Sequence, residues 1–198
     1  PLEKVLAGLE SARKAGFSPI KINTVVRKNW NDKTIIQLIN HFRNTGDIVR
    51  FIEYMDVGST NGWDMSDTVP TEELLTTINT RFPIVPVETN YVGEVAKRYR
   101  LVDGSGEIGF ITSVTQPFCG TCTRARVSAD GKLYTCLFST AASLDLASFL
   151  RAEQDNDLIL EKINAIWKKR SDRYSEIRSQ IDSSTSHKNK VEMSYIGG

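Results

Sequence analysis

Ile48-Val49-Arg50-Phe51-Ile52-Glu53-Tyr54-Met55 reads as a buried strand, an apolar run rich in β-branched and aromatic residues that follows a helix-terminating Gly46. Upstream, Ile20-Lys21-Ile22-Asn23-Thr24-Val25-Val26 has the same character and follows an amphipathic helix over residues 1–15 that stops at Gly16. Between the two runs, Asn31 and Asp32 offer N-cap chemistry to a helix through about residue 45, with Ile35, Ile36, Leu38, Ile39 and Phe42 on one face. Strands alternating with helices at this spacing predict parallel βα units, hence an α/β fold class with a barrel or open sheet. Two such units cannot close a barrel. Their polar intruders, Lys21, Asn23 and Arg50, are the side chains expected to point into a shared ligand cavity.

Downstream of Asp56 the pattern is a polar, glycine-containing loop to about residue 70, then a helix opened by Thr71-Glu72-Glu73. From about residue 84 it changes to short strands at 98–102, 107–114, 125–129 and 132–136. Asp103-Gly104 and Asp130-Gly131 supply turns, the second a hairpin signal. The expected division is therefore 1–83, with the βα units, and 84–198, an antiparallel region built beside them. Helices follow at 144–151 and 155–170, with Lys168 to Arg173 read as a solvated helix end. A polar tail closes on Ile196-Gly197-Gly198, and there is no internal repeat.

All three cysteines fall in one C-x2-C-x13-C array, Cys119, Cys122 and Cys136, whose third thiol the Asp130-Gly131 turn folds back towards the first two. Three thiolates can ligate zinc or three irons of a cubane cluster, leaving one position for a substrate or another donor. An odd cysteine count with this spacing fits a reducing compartment and metal ligation better than disulfides, so a cytoplasmic protein is expected. Arg124 and Arg126, at alternate positions beyond Cys122, would set bidentate cations beside the metal, as a polyanion such as a triphosphate requires. The overall balance of 25 basic and 24 acidic residues gives no reason to expect nucleic acid or a membrane surface as partner. A structural zinc-binding or interaction module remains the alternative from another class.

Phe51 through Gly58, Asn61-Gly62-Trp63-Asp64, Gly93-Glu94-Val95-Ala96, Ile111 through Val114, Phe118 through Arg126, Asp130-Gly131-Lys132, Cys136-Leu137-Phe138 and Tyr195 through Gly198 together carry a resemblance. The chain resembles the C-terminal half of the molybdenum cofactor biosynthesis protein A family, radical S-adenosylmethionine (SAM) enzymes that act as GTP 3',8-cyclases. The resemblance implies the C-terminal part of an incomplete (βα)6 TIM-like barrel with an antiparallel and helical extension. It implies conversion of GTP, with SAM, to (8S)-3',8-cyclo-7,8-dihydroguanosine 5'-triphosphate, the first step of molybdenum cofactor biosynthesis. On this resemblance Cys119, Cys122 and Cys136 hold an auxiliary [4Fe-4S] cluster, and Lys21, Arg50, Arg124, Ala125 and Arg126 contact GTP. Met55 backs the SAM pocket, and Gly197 and Gly198 form a tail entering the active site. A second [4Fe-4S] cluster belongs to the N-terminal half, whose C-x3-C-x2-C motif is absent from these 198 residues. The fragment alone is therefore expected to be inactive and to need its N-terminal half, with a homodimer as the expected assembly. The auxiliary-cluster domain of another radical SAM enzyme is a further alternative, which the Cys-Thr-Arg-Ala-Arg and Gly-Gly signatures disfavour. The absence of an initiator methionine and an apolar helical face from Leu2 onward also suggest the C-terminal part of a longer protein.

Overall fold

The computed structural model describes residues 2–153, 155–180 and 190–196. Two compact units are present, one comprising the residues up to Tyr54 with Met65–Pro117, the other comprising Met55–Asp64 with the residues from Phe118 onward. Among the described residues no helix is long and apolar enough to cross a membrane.

The first unit is α/β, as expected. Its elements are α1 (Leu2–Lys14), β1 (Lys21–Val26), α2 (Ile35–Phe42), β2 (Ile48–Glu53), α3 (Thr71–Arg81), β3 (Ile84–Val87), β4 (Lys97–Leu101) and β5 (Glu107–Ile111). One sheet has the order β1-β2-β5-β4-β3. Strands β1, β2 and β5 are parallel, while β4 and β3 run antiparallel. Strands β3 and β4 thus extend the parallel strands in one sheet rather than belonging to a separate antiparallel region. Strand β5 pairs with β2 from Ile48↔Glu107 to Ile52↔Ile111, carrying the sheet across the division expected at residue 83. Strand β3, unforeseen from the sequence, lies at the sheet edge, where Pro86 sacrifices no ladder donor.

Alternation along the strands puts Val26, Val49, Phe51, Leu101, Ile108 and Phe110 into one core with Ile35, Ile39 and Phe42 of α2 and Leu74 and Ile78 of α3. The Phe51 and Phe110 rings lie 5.7 Å apart at its centre. Strand β1 departs from the expected buried strand, since Lys21, Asn23 and Val25 are exposed. It is the other edge of this sheet, and only its alternate residues face the core. Asn31 likewise does not cap α2; its side chain accepts from the Arg27 N–H at 2.9 Å and donates to the Val25 carbonyl at 2.8 Å. The helix begins instead beyond a tight turn over Asp32–Thr34.

Glu53 ends β2 with a carboxylate that is 1% exposed. It accepts five hydrogen bonds, from the N–H and hydroxyl of Thr71, the N–H of Val114, and the N–H and hydroxyl of Thr115. The first pair fixes the start of α3 and the rest fix the turn after β5, which stops that strand at Ile111 rather than at the expected Val114. A carboxylate suits this position because both oxygens only accept. Glu53→Gln, which would turn an amide donor towards N–H donors, is expected to lower stability by roughly 2–4 kcal/mol. Equilibrium denaturation of the two proteins measures it.

The second unit contains β6 (Arg126–Val127), β7 (Lys132–Tyr134), β8 (Leu144–Asp145), α4 (Leu146–Ala152), α5 (Asn156–Lys168) and the short α6 (Tyr174–Ile177). The three strands form an antiparallel sheet in the order β6-β7-β8. The predicted hairpin is present, and Gly131 at φ +80° turns it. A Cβ there would stand 2.4 Å from that of Ala147, so glycine is required for packing as well as for conformation. Asp145 and Asp155 cap α4 and α5 by accepting the N–H groups of Ser148 and Asp157.

Asp56, 1% exposed, organises this unit. Arg178 Nε donates to its Oδ1 at 2.7 Å, Lys190 Nζ to its Oδ2 at 2.6 Å, and the Tyr174 hydroxyl also bonds Oδ2. Tyr174 in turn stacks on Phe138 with centroids 4.6 Å apart. Burial pushes the Asp56 carboxyl up, but hydrogen bonds from Lys190 and Tyr174 and the charges of Arg178 and Lys190 outweigh it and hold the carboxyl below its ordinary value. Its contribution is therefore complete above about pH 4, the unfolded value, and fades as pH falls through the lower native one. Asp56→Asn leaves two cations facing a neutral amide, with an expected loss of roughly 3–5 kcal/mol near neutrality. Stability measured against pH should show a shallower acid limb in this variant than in the parent.

Candidate metal and anion site

Cys119 and Cys122 flank a single tight turn, closed by the Cys122 N–H donating to the Cys119 carbonyl at 3.2 Å. Cys136 lies two residues beyond β7, returned by the hairpin to the same unit. All three thiols are free and half-buried. The Arg124 guanidinium donates to Cys122 Sγ at 3.0 Å, and the Phe138 N–H donates to Cys136 Sγ at 3.4 Å.

The thiols differ electrostatically. At Cys122 burial works to raise the pKa, but hydrogen bonds from the backbone and side chain of Arg124, and the charges of Arg124 and Arg170, bring it below the usual thiol value. At Cys136 burial wins, and the charges of Asp172, Cys119 and Cys122 add to the rise despite the Phe138 N–H. Among the described residues, no group of three His, Cys, Asp or Glu side chains forms a ready-made metal cage. Donor chemistry nevertheless fits a thiolate-bound group, with soft ligands in one unit, N–H donors on their sulfurs and cations on the same loop.

Arg126 on β6 is half-buried and, among the described residues, has no carboxylate partner; nor does Arg124, whose guanidinium lies 5.1 Å over the Phe118 ring. Burial pulls the Arg126 pKa down and the Arg124 charge pulls it further, opposed only by the Cys136 and Cys122 sulfurs. Two neighbouring cations with no carboxylate between them make a site suited to an added anion. Ala125 between them is exposed.

Lys21 and Arg50 belong to the first unit, on the sheet face opposite the core. Arg50 pairs in register with Asn23 and Gly109, and its Nε donates to Asn23 Oδ1 at 2.8 Å. Glycine at 109 leaves the Arg50 stem room to cross the neighbouring strand, since a Cβ there would lie 3.2 Å from Arg50 Cγ. Lys21 is exposed on the edge strand, contrary to its expected burial. Met55, just beyond β2, is half-buried, and its carbonyl accepts from Asn61 Nδ2 at 2.9 Å. Gly197 and Gly198 lie outside the described residues.

The reading of residues 168–173 as a solvated helix end is overturned at Arg170. Its side chain is 11% exposed and donates to the Cys122 carbonyl at 2.9 Å and to the Cys119 carbonyl at 3.4 Å. Only the paired aromatic Trp167, 4.6 Å under the guanidinium, was available in the sequence as a sign of that burial. Asp56, Lys190 and Glu192 were also missed. Glu192 accepts from the N–H and hydroxyl of Ser59, a contact 133 residues apart that no local pattern announces.

The family model described as Molybdenum Cofactor Synthesis C matches residues 47–176. Among curated proteins, the GTP 3',8-cyclase of Acidothermus cellulolyticus is 47% identical over 221 residues, covering 100% of this chain and 60% of that protein. The GTP 3',8-cyclase of Xanthomonas campestris pv. campestris is 48% identical over 198 residues, covering 100% of this chain and 56% of its own length. For the Staphylococcus aureus GTP 3',8-cyclase the identity is 44%, over 98% of this chain and 57% of the relative. The chain thus spans less than two thirds of the length of these relatives. With the family model matching most of the sequence, including the three cysteines and both arginines beside them, the chain belongs to the Molybdenum Cofactor Synthesis C family.

Proposed function

We propose that this chain is the C-terminal, substrate-binding part of a GTP 3',8-cyclase, a radical SAM lyase acting at the first step of molybdenum cofactor biosynthesis. The observation that carries this reading is the pair Arg124 and Arg126, cations without carboxylate partners among the described residues, on the loop that bears the thiols. Identity of 44–48% to proteins named GTP 3',8-cyclase across 98–100% of the chain supports the same assignment.

In this reading Cys119, Cys122 and Cys136 hold an auxiliary [4Fe-4S] cluster. When bound, such a cluster supplies a Lewis-acidic iron with a position not taken by cysteine. Arg124 and Arg126 bind the triphosphate, and the small Ala125 between them leaves their guanidinium groups unobstructed. Lys21 and Arg50 add cationic donors from the strands of a partial (βα)6 barrel. Met55 provides an apolar wall for SAM, and Gly197 and Gly198 enter the site because a backbone without side chains can pass where others cannot. The radical-generating cluster belongs to an N-terminal half carrying the C-x3-C-x2-C motif, so these 198 residues alone do not cyclise GTP. The three unpaired thiols suit a cytoplasmic setting, and a homodimer is the assembly this reading favours.

Anaerobic reconstitution with iron and sulfide is expected to load about four irons per chain. Uptake of a single tight zinc and no iron would replace this reading by a structural module. Arg124→Ala and Arg126→Ala, made in the protein joined to its N-terminal half, are each expected to weaken GTP binding by roughly 1.5–3 kcal/mol by calorimetry. Unchanged affinity in both would remove the triphosphate assignment.

A further inference from the structure

Arg170 follows α5, its own N–H closing the helix end on the Trp167 carbonyl at 3.2 Å. Its guanidinium stacks 4.6 Å over the Trp167 ring, and Nε lies 3.6 Å from Asp172 Oδ2. Held in this way, the fork reaches the carbonyls of both cysteines of the C-x2-C turn, Cys122 at 2.9 Å and Cys119 at 3.4 Å. An open cavity of about 450 Å³ adjoins it, lined among others by Cys119, Gly120, Cys122 and Asp172.

This arrangement is specific in two respects. The contacts go to the carbonyls of the thiol-bearing residues themselves, 48 and 51 residues away. A planar guanidinium can hold two carbonyls at once, whereas an ammonium is a point donor without that fork. We propose that Arg170 is a positioning residue for the thiol site, its guanidinium setting the Cys119–Cys122 turn so that both thiolates are presented to one ligand. Trp167 and Asp172 orient the guanidinium, and its positive charge stabilises an anionic thiolate-bound group. The identity of that group as an iron–sulfur cluster rests on the function proposed above; the positioning role does not.

The test uses Cd2+ as a thiolate probe on the reduced, metal-free chain, titrated through the ultraviolet thiolate-to-cadmium absorption. Arg170→Ala is expected to weaken Cd2+ binding roughly 10–100-fold, as loss of groups that orient metal ligands does, with far-ultraviolet circular dichroism unchanged. Arg170→Lys recovers only part of the loss, because the charge returns without the fork. In the iron-loaded protein, Arg170→Ala moves the midpoint potential to more negative values, a readout that a purely structural residue would leave in place. Equal Cd2+ affinity in the parent and Arg170→Ala, or no thiolate absorption in the parent, overturns the proposal. Should Arg170→Ala lose its circular dichroism, Arg170→Lys decides, and parent-like Cd2+ affinity in that variant overturns it. If the parent binds Cd2+ but takes up no iron and sulfide, the cluster reading fails while the cadmium comparison still decides the role of Arg170.

Discussion

The Glu53 carboxylate is the constraint on which the first unit depends. A buried carboxylate unsupported by hydrogen bonds would cost several kcal/mol, and here five donors from two separate loops satisfy it. In return, the ends of β2 and β5 and the start of α3 have defined positions at one end of the sheet. Only three residues later, Asp56 repeats the device in the second unit with cationic partners. One short segment, Glu53 to Asp56, therefore supplies the principal buried anion of each unit, the first met by neutral donors and the second by Arg178 and Lys190.

The cations of the candidate site contrast with those of the core. Arg178 and Lys190 are neutralised by Asp56, Arg98 by Glu107 and Arg27 by Asp67. Arg124 and Arg126 lack such partners among the described residues and face sulfur and aromatic surface instead. Two adjacent half-buried cations without a carboxylate partner are electrostatically suited to an added anion. At Cys122 the Arg124 guanidinium and the charge of Arg170 favour the thiolate form that a metal requires, whereas burial holds the Cys136 thiol up.

Much of the local architecture was legible because it is written in short-range pattern. Apolar, β-branched runs located β1 and β2, short strand-like pieces located β4 and β5, glycine and the Thr71-Glu72-Glu73 start bounded the helices, and Asp130-Gly131 located the hairpin. Errors appeared where a residue's role depends on what pairs with it. Nothing in Glu107 to Ile111 announces a parallel partner 59 residues earlier, so β4 and β5 were placed beside the sheet that they in fact extend. Lys21 was expected to be buried because its strand is apolar, but edge position decides exposure.

The sequence by itself determined the α/β class, the grouping of the thiols with Arg124 and Arg126, and the family signatures, because these depend on residue type and spacing within a few tens of residues. Tertiary structure alone decided that one mixed sheet joins residues 21–111, that the Glu53 and Asp56 carboxyls are buried and hydrogen-bonded, and that Arg170 grips the C-x2-C turn. A charge run such as Lys168 to Arg173 is soluble and helix-ending by composition whichever way its side chains turn. Only the position of Trp167, Asp172 and the two cysteine carbonyls around it makes burying the Arg170 guanidinium favourable.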